Sequence, residues 1–284
     1  MPRKKQRTQI ETIDDDDNSS TNSNDMDTVD DQINVDFEAR SPEDIDYDSI
    51  KLLLNQKLGG FSLNLGELSE IVVQQSHIGN VIFQVVEEEP IVEASASANN
   101  DDDTIFGVIS LINLNKYKQK DSIKQLTSFL NKELHKLKKL EGKSKEFIDK
   151  NLFDKYKIGY LINERYINIP SEISVPMYES LLKDLEESNT KSDVAKSSSN
   201  ISDNDFDYYM LLSRSFEPDS GAIKERDYTN SEEEVFKEFC DYLFEIRCPK
   251  VKDSPFNFFL EILFLNKTQL NDALAKIKNM VKTK

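Results

Sequence analysis

The chain has 284 residues, 53 of them Asp or Glu and 36 Lys or Arg, which gives a formal charge of −17 and a pI near 4.7. Such an excess of acid disfavours sequence-independent binding to nucleic acid, which rests on cationic side chains neutralising phosphates. Cys240 and Cys248 are too few for a disulfide framework and suit a reducing compartment, although a local bridge stays open; no run nears the about 18 uninterrupted apolar residues of a membrane span, and the start lacks the apolar stretch of a secretory signal, so a soluble intracellular protein with no membrane partner is expected.

The acidity is concentrated at the head. Residues 1–48 hold 15 acids and 5 bases, a net of −10, while the remaining 236 residues carry only −7. Arg3, Lys4, Lys5 and Arg7 open the chain as a cluster suited to a nuclear-import receptor. Asp14 to Asp17 and a run of Ser, Asn and Asp follow, with almost nothing apolar. A segment that buries so little cannot offset the entropy of ordering, so 1–34 is expected to be a disordered tail before a single domain over 35–284.

Within that domain, Gly59 and Gly60 make a turn between two helices, the second started by Asn64 with Glu67 at capping-box spacing. His77, in QQSHIG, closes that helix and can cap its last carbonyls. NVIFQVV (Asn80 to Val86) and TIFGVISLINL (Thr104 to Leu114) read as strands. Between them Glu87 to Asp103 carries seven acids and no base, an acidic loop. The stretch Lys116 to Lys157 holds 13 bases and 6 acids on a predicted helical hairpin. Its first helix, Asp121 to Lys139, has Asp121 as N-cap and an apolar stripe of Ile123, Leu126, Leu130, Leu134 and Leu137, with His135 on the solvated side. The folded body is therefore expected to be electrically polarised, repelling a cationic partner on one face and capturing it on the other.

KIGYLIN (Lys157 to Asn163) is the next strand, and after a helix Glu186 to Asp205 reads as a polar loop. YYMLLSRSF (Tyr208 to Phe216) is a strand; Ser231 with Glu234 has capping-box spacing, and Glu232 to Glu234 reads as solvated charge with at most weak attraction for divalent ions. In CDYLFEIRC, Tyr242, Phe244 and Ile246 alternate with Leu243, Glu245 and Arg247, as on a sheet with one buried face. NFFLEILFL completes the strands, and Leu270, Leu274 and Ile277 stripe a closing helix with Thr268 as its cap. The fold class that results is α/β (α+β), a single mixed, largely antiparallel sheet flanked by helices.

Chemistry is sparse. GxSxG, HExxH, CxxC, GxGxxG and GxxxxGK[ST] are all missing from the sequence, so catalytic residues, cofactor-binding residues and metal ligands are expected to be none. The candidates that remain are the nuclear-import cluster and the acids Glu87, Glu88, Glu89, Asp101, Asp102 and Asp103 as client-binding groups.

Several blocks then stand out in order: VDFEARSPEDIDYDSIKLLL (Val35 to Leu54), QQSHIGNVI, FGVISLINL, LINERYINIPSEISVPMYESLLKDL (Leu161 to Leu185), YYMLLSRSF and NSEEEVF. They resemble the BCCIP family over about Val35 to Val281. The resemblance implies a fold similar to that of the GCN-five-related acetyltransferases, without known enzymatic activity. It implies a nuclear and cytoplasmic, shuttling protein, a chaperone and transport escort for a basic large-subunit ribosomal protein of the universal L-fourteen type (L-twenty-three in yeasts). Partners would be that protein and nuclear transport receptors, with no direct nucleic acid contact, no cofactor and a monomeric state. Those acetyltransferases hold a pyrophosphate on a glycine-bearing turn; the equivalent turn here, Asn113 to Lys120, has no glycine. The alternatives are an acetyl-CoA-dependent transferase on the same fold and a histone-type acidic chaperone.

Overall fold

The computed structural model describes residues 7–8, 36–85, 104–137, 140–149, 151–195, 204–219 and 225–282. In chain order, β1 (Arg7–Thr8) and β2 (Asp36–Arg40) precede α1 (Tyr47–Leu58), α2 (Leu65–Gln74), β3 (Asn80–Val85) and β4 (Ile105–Asn113). Three helices follow, α3 (Asp121–Leu134), α4 (Gly142–Asp149) and α5 (Leu152–Lys155), then β5 (Ile158–Arg165), α6 (Ser174–Ala195), β6 (Tyr208–Pro218) and β7 (Asp227–Tyr228). The chain closes with α7 (Glu233–Phe239), β8 (Tyr242–Arg247), β9 (Phe256–Leu265) and α8 (Lys267–Lys282).

The strands form one sheet in the order β1-β2-β3-β4-β5-β6-β9-β8, with β7 added on β6. All neighbours are antiparallel except β5 and β6, which run parallel through the α6 crossover. The expected mixed, largely antiparallel sheet flanked by helices is therefore what forms. One face packs on α1 to α5 through residues such as Val108, Ile112, Met210, Leu212 and Ile262; the other packs on α6 to α8 through Ile109, Leu111, Tyr209, Leu211 and Leu263. Because both faces are covered, β4, β6 and β9 read as nearly continuous apolar runs. Edge strand β8 has only one covered face, so Phe244 and Ile246 are buried while Leu243, Glu245 and Arg247 are exposed. Among the described residues no helix is long and apolar enough to cross a membrane. At Gly79 a left-handed φ of +105° carries the chain into β3, and a Cβ there would meet the Ile109 carbonyl oxygen at 2.1 Å.

The helix starts depart from expectation where tertiary contacts recruit the capping groups. Asn64 caps α2 as foreseen, its side chain accepting from the Glu67 amide at 3.1 Å. Glu67, however, does not return to Asn64. Its carboxylate crosses to α3 and accepts from the Ser122 amide at 2.6 Å, so Asp121 is the first helical residue rather than the cap. Asn266 and Gln269 cap α8 reciprocally, at 3.1 and 2.9 Å, which places Thr268 inside the first turn. His135 Nδ1 lies 2.7 Å from the Asn131 carbonyl oxygen at the end of α3, and His77 lies exposed in the turn after α2. The helix α6 continues to Ala195, well into the stretch read as a loop, because Glu186 to Ala195 contains neither Gly nor Pro to stop it.

Candidate functional site

Strands β5 and β6 pair only over Ile158–Leu161 and Tyr208–Leu211, yet they run on to Arg165 and Pro218. Where parallel strands part, backbone groups lose their ladder partners and must find others. The Asn163 carbonyl oxygen finds two: the Asn230 amide at 3.0 Å and the Lys57 ammonium at 3.5 Å. Lys57 is carried inward on α1 beside Leu53, Leu54 and Leu58, all in the core. Its Nζ lies 2.8 Å from Glu164 and 3.2 Å from Glu233, so one ammonium ties α1 to β5 and α7. Beside it, Arg165 grips both oxygens of Glu232, with one contact at 2.6 Å, and its Nε donates to the Ile169 carbonyl at 3.2 Å. Asn163 Nδ2 donates to the same Glu232 at 3.0 Å.

This wedge is dry. Lys57, Glu164, Arg165, Glu232 and Glu233 are each at most 5% exposed. Burial drives the Glu164 pKa upward to about 7; Lys57 opposes the rise and Glu233 adds to it. Burial also works against the Lys57 ammonium, but Glu164 and Glu233 outweigh it and hold its pKa above the ordinary value. The Tyr160 and Tyr178 hydroxyls, buried beside these carboxylates, are held well above the ordinary tyrosine range. Here Glu232 and Glu233 overturn the reading of Glu232 to Glu234 as solvated charge: only Glu234 faces solvent. Asn230 and Glu233 are committed to this wedge, so Ser231 and Glu234 form no capping box and α7 starts without a side-chain cap.

A shallow cleft of about 260 Å³ adjoins the wedge, walled by Arg165, Tyr228, Thr229 and Ser231 and rimmed by the exposed Ile167. Arg165 in its wall is already paired with Glu232. Tyr228 donates to the buried Glu261 at 3.2 Å and accepts from Lys237. The Cys240 and Cys248 thiols are free, and burial pushes both up to about 11, which keeps them protonated and poor as nucleophiles at neutral pH. Among the described residues no three His, Cys, Asp or Glu side chains are grouped to hold a metal ion. After the glycine-free turn Asn113 to Lys120, the Ser122 amide in the first turn of α3 is taken by the Glu67 carboxylate.

Arg3, Lys4, Lys5, Glu87, Glu88, Glu89, Asp101, Asp102 and Asp103 lie outside the described residues. Arg7 is described, in β1, its backbone opposite Glu38 of β2. The strands that bracket the acidic segments are more informative. Thr8 is opposite Phe37, Asp36 opposite Val85, and Phe83 opposite Ile105. The chain therefore leaves for 9–35 and for 86–103, and returns from both, at one end of the sheet, where β5 also finishes. Those two segments contain 16 acids and no base. The lysine-rich turns before α3 and β5 lie at the opposite end, since Asn113 is opposite Gly159 at the far end of the β4–β5 ladder.

The wedge was not foreseen from the sequence. The available signal was the run Asn163-Glu164-Arg165 continuing an apolar strand without a turn residue, since polar side chains that stay in register on a two-faced strand must be buried and paired.

A family model described as BCCIP matches residues 32–238. The chain is 31% identical over 227 residues to "Protein BCCIP homolog" of Drosophila melanogaster, spanning 78% of this chain and 72% of that one. It is 38% identical over 160 residues to "BRCA2 and CDKN1A-interacting protein" of Homo sapiens, spanning 55% of this chain and 48%, about half, of the human one. With "Protein bcp1" of Schizosaccharomyces pombe it shares 31% identity over 192 residues, 66% of this chain and 58% of that protein. The crystal structure of BCP1 from Saccharomyces cerevisiae is similar in fold, with a TM-score of 0.55 at 16% identity over 91% of this chain and 94% of the other.

Proposed function

This chain belongs to the BCCIP family, whose names mark interaction proteins, and from that premise we propose that it is a non-enzymatic chaperone and nuclear transport escort for a strongly basic large-subunit ribosomal protein of the universal L-fourteen type. The observation that carries the reading is the gathering, at one end of the sheet, of the attachment points of two segments with 16 acids and no base. A free ribosomal protein presents cationic surface meant for RNA and apolar surface meant for neighbours, and both promote aggregation. Acid converging from two tethers raises the capture rate, while apolar contact slows release. Ribosomal RNA, with its higher charge density, then displaces the carrier. The wedge supports a binding role over an enzymatic one: it fills the parting of β5 and β6 with side chains tied to one another by ion pairs, Lys57 to Glu164 and Glu233 and Arg165 to Glu232.

In this reading Glu87, Glu88, Glu89, Asp101, Asp102 and Asp103 make the encounter, and Arg3, Lys4, Lys5 and Arg7 engage an import receptor, so the protein shuttles between nucleus and cytoplasm. The test is a mixing experiment with the purified client. The protein keeps the client soluble at low salt, and changing the six acids to Asn or Gln slows association about threefold to tenfold in stopped-flow fluorescence. Aggregation that proceeds undiminished in the presence of the protein refutes the proposal.

A further inference from the structure

The basic stretch contains the same tripeptide twice, Lys116-Tyr117-Lys118 before α3 and Lys155-Tyr156-Lys157 before β5, 39 positions apart in sequence. The fold sets them side by side. Asn115 Nδ2 donates to the Tyr156 carbonyl at 3.3 Å, the Ile158 amide donates to Asn115 Oδ1 at 3.0 Å, and the Leu114 amide donates to the Ile158 carbonyl at 3.0 Å. These bonds fasten the two turns to each other at the end of the β4–β5 ladder. All four lysines are exposed and, among the described residues, none of them forms an ion pair. Asp207 approaches, but its carboxylate accepts from the Lys157 backbone amide at 2.7 Å rather than from the ammonium. Lys116 lies 5.4 Å from the centre of the Tyr117 ring; Lys155 lies 4.5 Å from that of Tyr156 and donates to its hydroxyl at 2.9 Å. Both tyrosines are half-buried against the core, so each holds a lysine on a fixed support.

We propose that the paired Lys-Tyr-Lys turns form a binding surface for single-stranded RNA, at the end of the sheet opposite the attachment points of the acidic segments. Four ammonium groups that form no ion pair among the described residues match a run of phosphates, and the half-exposed tyrosine edges offer contact to the bases. An acidic protein is the weaker fit. Recognition of carboxylates favours the forked guanidinium of Arg, whereas all 13 bases between Lys116 and Lys157 are Lys, a point charge suited to phosphate. The net charge of −17 conceals this surface because 16 of the acids fall in 9–35 and 86–103, apart from it in the sequence. The inference is independent of the escort reading, since it concerns a different end of the molecule and a different class of partner.

The experiment is a fluorescence-anisotropy titration of the whole protein with a labelled oligouridylate over a range of salt. Binding is expected with a log–log salt slope of about −3, the value for about four phosphates on a single strand. Changing Lys116, Lys118, Lys155 and Lys157 together to Gln is expected to weaken it about tenfold or more at low salt, with circular dichroism unchanged. Changing Lys250 and Lys252 to Gln, at the other end of the sheet, leaves it unaltered. The proposal is overturned if no binding occurs at low salt, if the quadruple variant binds as well as the parent, if the control pair weakens binding equally, or if polyglutamate displaces the RNA at equal charge concentration.

Discussion

Lys57 is 4% exposed and faces two carboxylates from two different elements, so its charge is tolerable only while both partners are in place. Replacing it by Met removes the cation and leaves Glu164 and Glu233 buried against each other. Denaturant unfolding of Lys57→Met is expected to show a loss of about 3–5 kcal/mol, the cost of stranding buried charge. Glu164 makes the same wedge sensitive to pH. Its folded pKa, about 7, lies above the ordinary 4.5, so between those values the folded state holds a proton that the unfolded chain releases. The stability this group contributes is thus full below the ordinary value and is lost as pH rises through about 7. Urea unfolding at about pH 5 and about pH 8 is expected to show a decline in the parent that is reduced in Glu164→Gln, whose side chain does not titrate. An equal decline in both proteins would place the effect elsewhere.

Among the elements, α2 and α3 are joined by an exchange of caps. Asn64 serves its own helix, Glu67 serves Ser122 of α3, and Gln125 of α3 accepts from the Asn64 amide at 2.8 Å. The backbone bond to Ser122 is also what holds the Glu67 carboxyl below its ordinary range, with burial opposing. Glu67→Ala is expected to cost about 1 kcal/mol and to speed hydrogen exchange in the first turn of α3 while leaving β4 unaffected. The parting of β5 from β6 is the other decisive feature at this scale. A ladder that stopped there without replacement would leave carbonyls in the core unpaired, and Lys57 and Asn230 supply the replacement for Asn163.

Across the molecule, the attachment points of the acidic segments and the lysine-rich turns lie at opposite ends of the strands. The acidic segments attach at one end, beside the wedge at the close of β5, and the paired lysine turns stand at the other, with the apolar cores between. Client capture is therefore expected to slow as salt is raised, by about tenfold between low and physiological ionic strength, with a smaller change in the rate of release. Capture that is indifferent to salt would assign the encounter to apolar contact alone. The separation also explains how one acidic chain could carry a cationic guest at one end and meet RNA at the other without the two sites cancelling.

Periodicity alone determined much of this protein: the strands β3, β4, β5, β6, β8 and β9 though not the short β1, β2 and β7, the buried stripes Ile123-Leu126-Leu130-Leu134 and Leu270-Ile277, and the alternation of β8, because apolar spacing is a local consequence of which face must be dry. Composition likewise marked the acidic head and the lysine-rich hairpin. Tertiary structure decided which partner each polar group takes. Glu67 reads as the second half of a local box until α3 is placed beside it, and Glu232 and Glu233 read as solvated until Arg165 and Lys57 arrive from β5 and α1. Two Lys-Tyr-Lys turns become one surface only through the pairing of β4 with β5. Burial of apolar residues follows from their own chemistry, whereas a charge can be buried, capped or left exposed, and which of these occurs depends on residues far away in the chain.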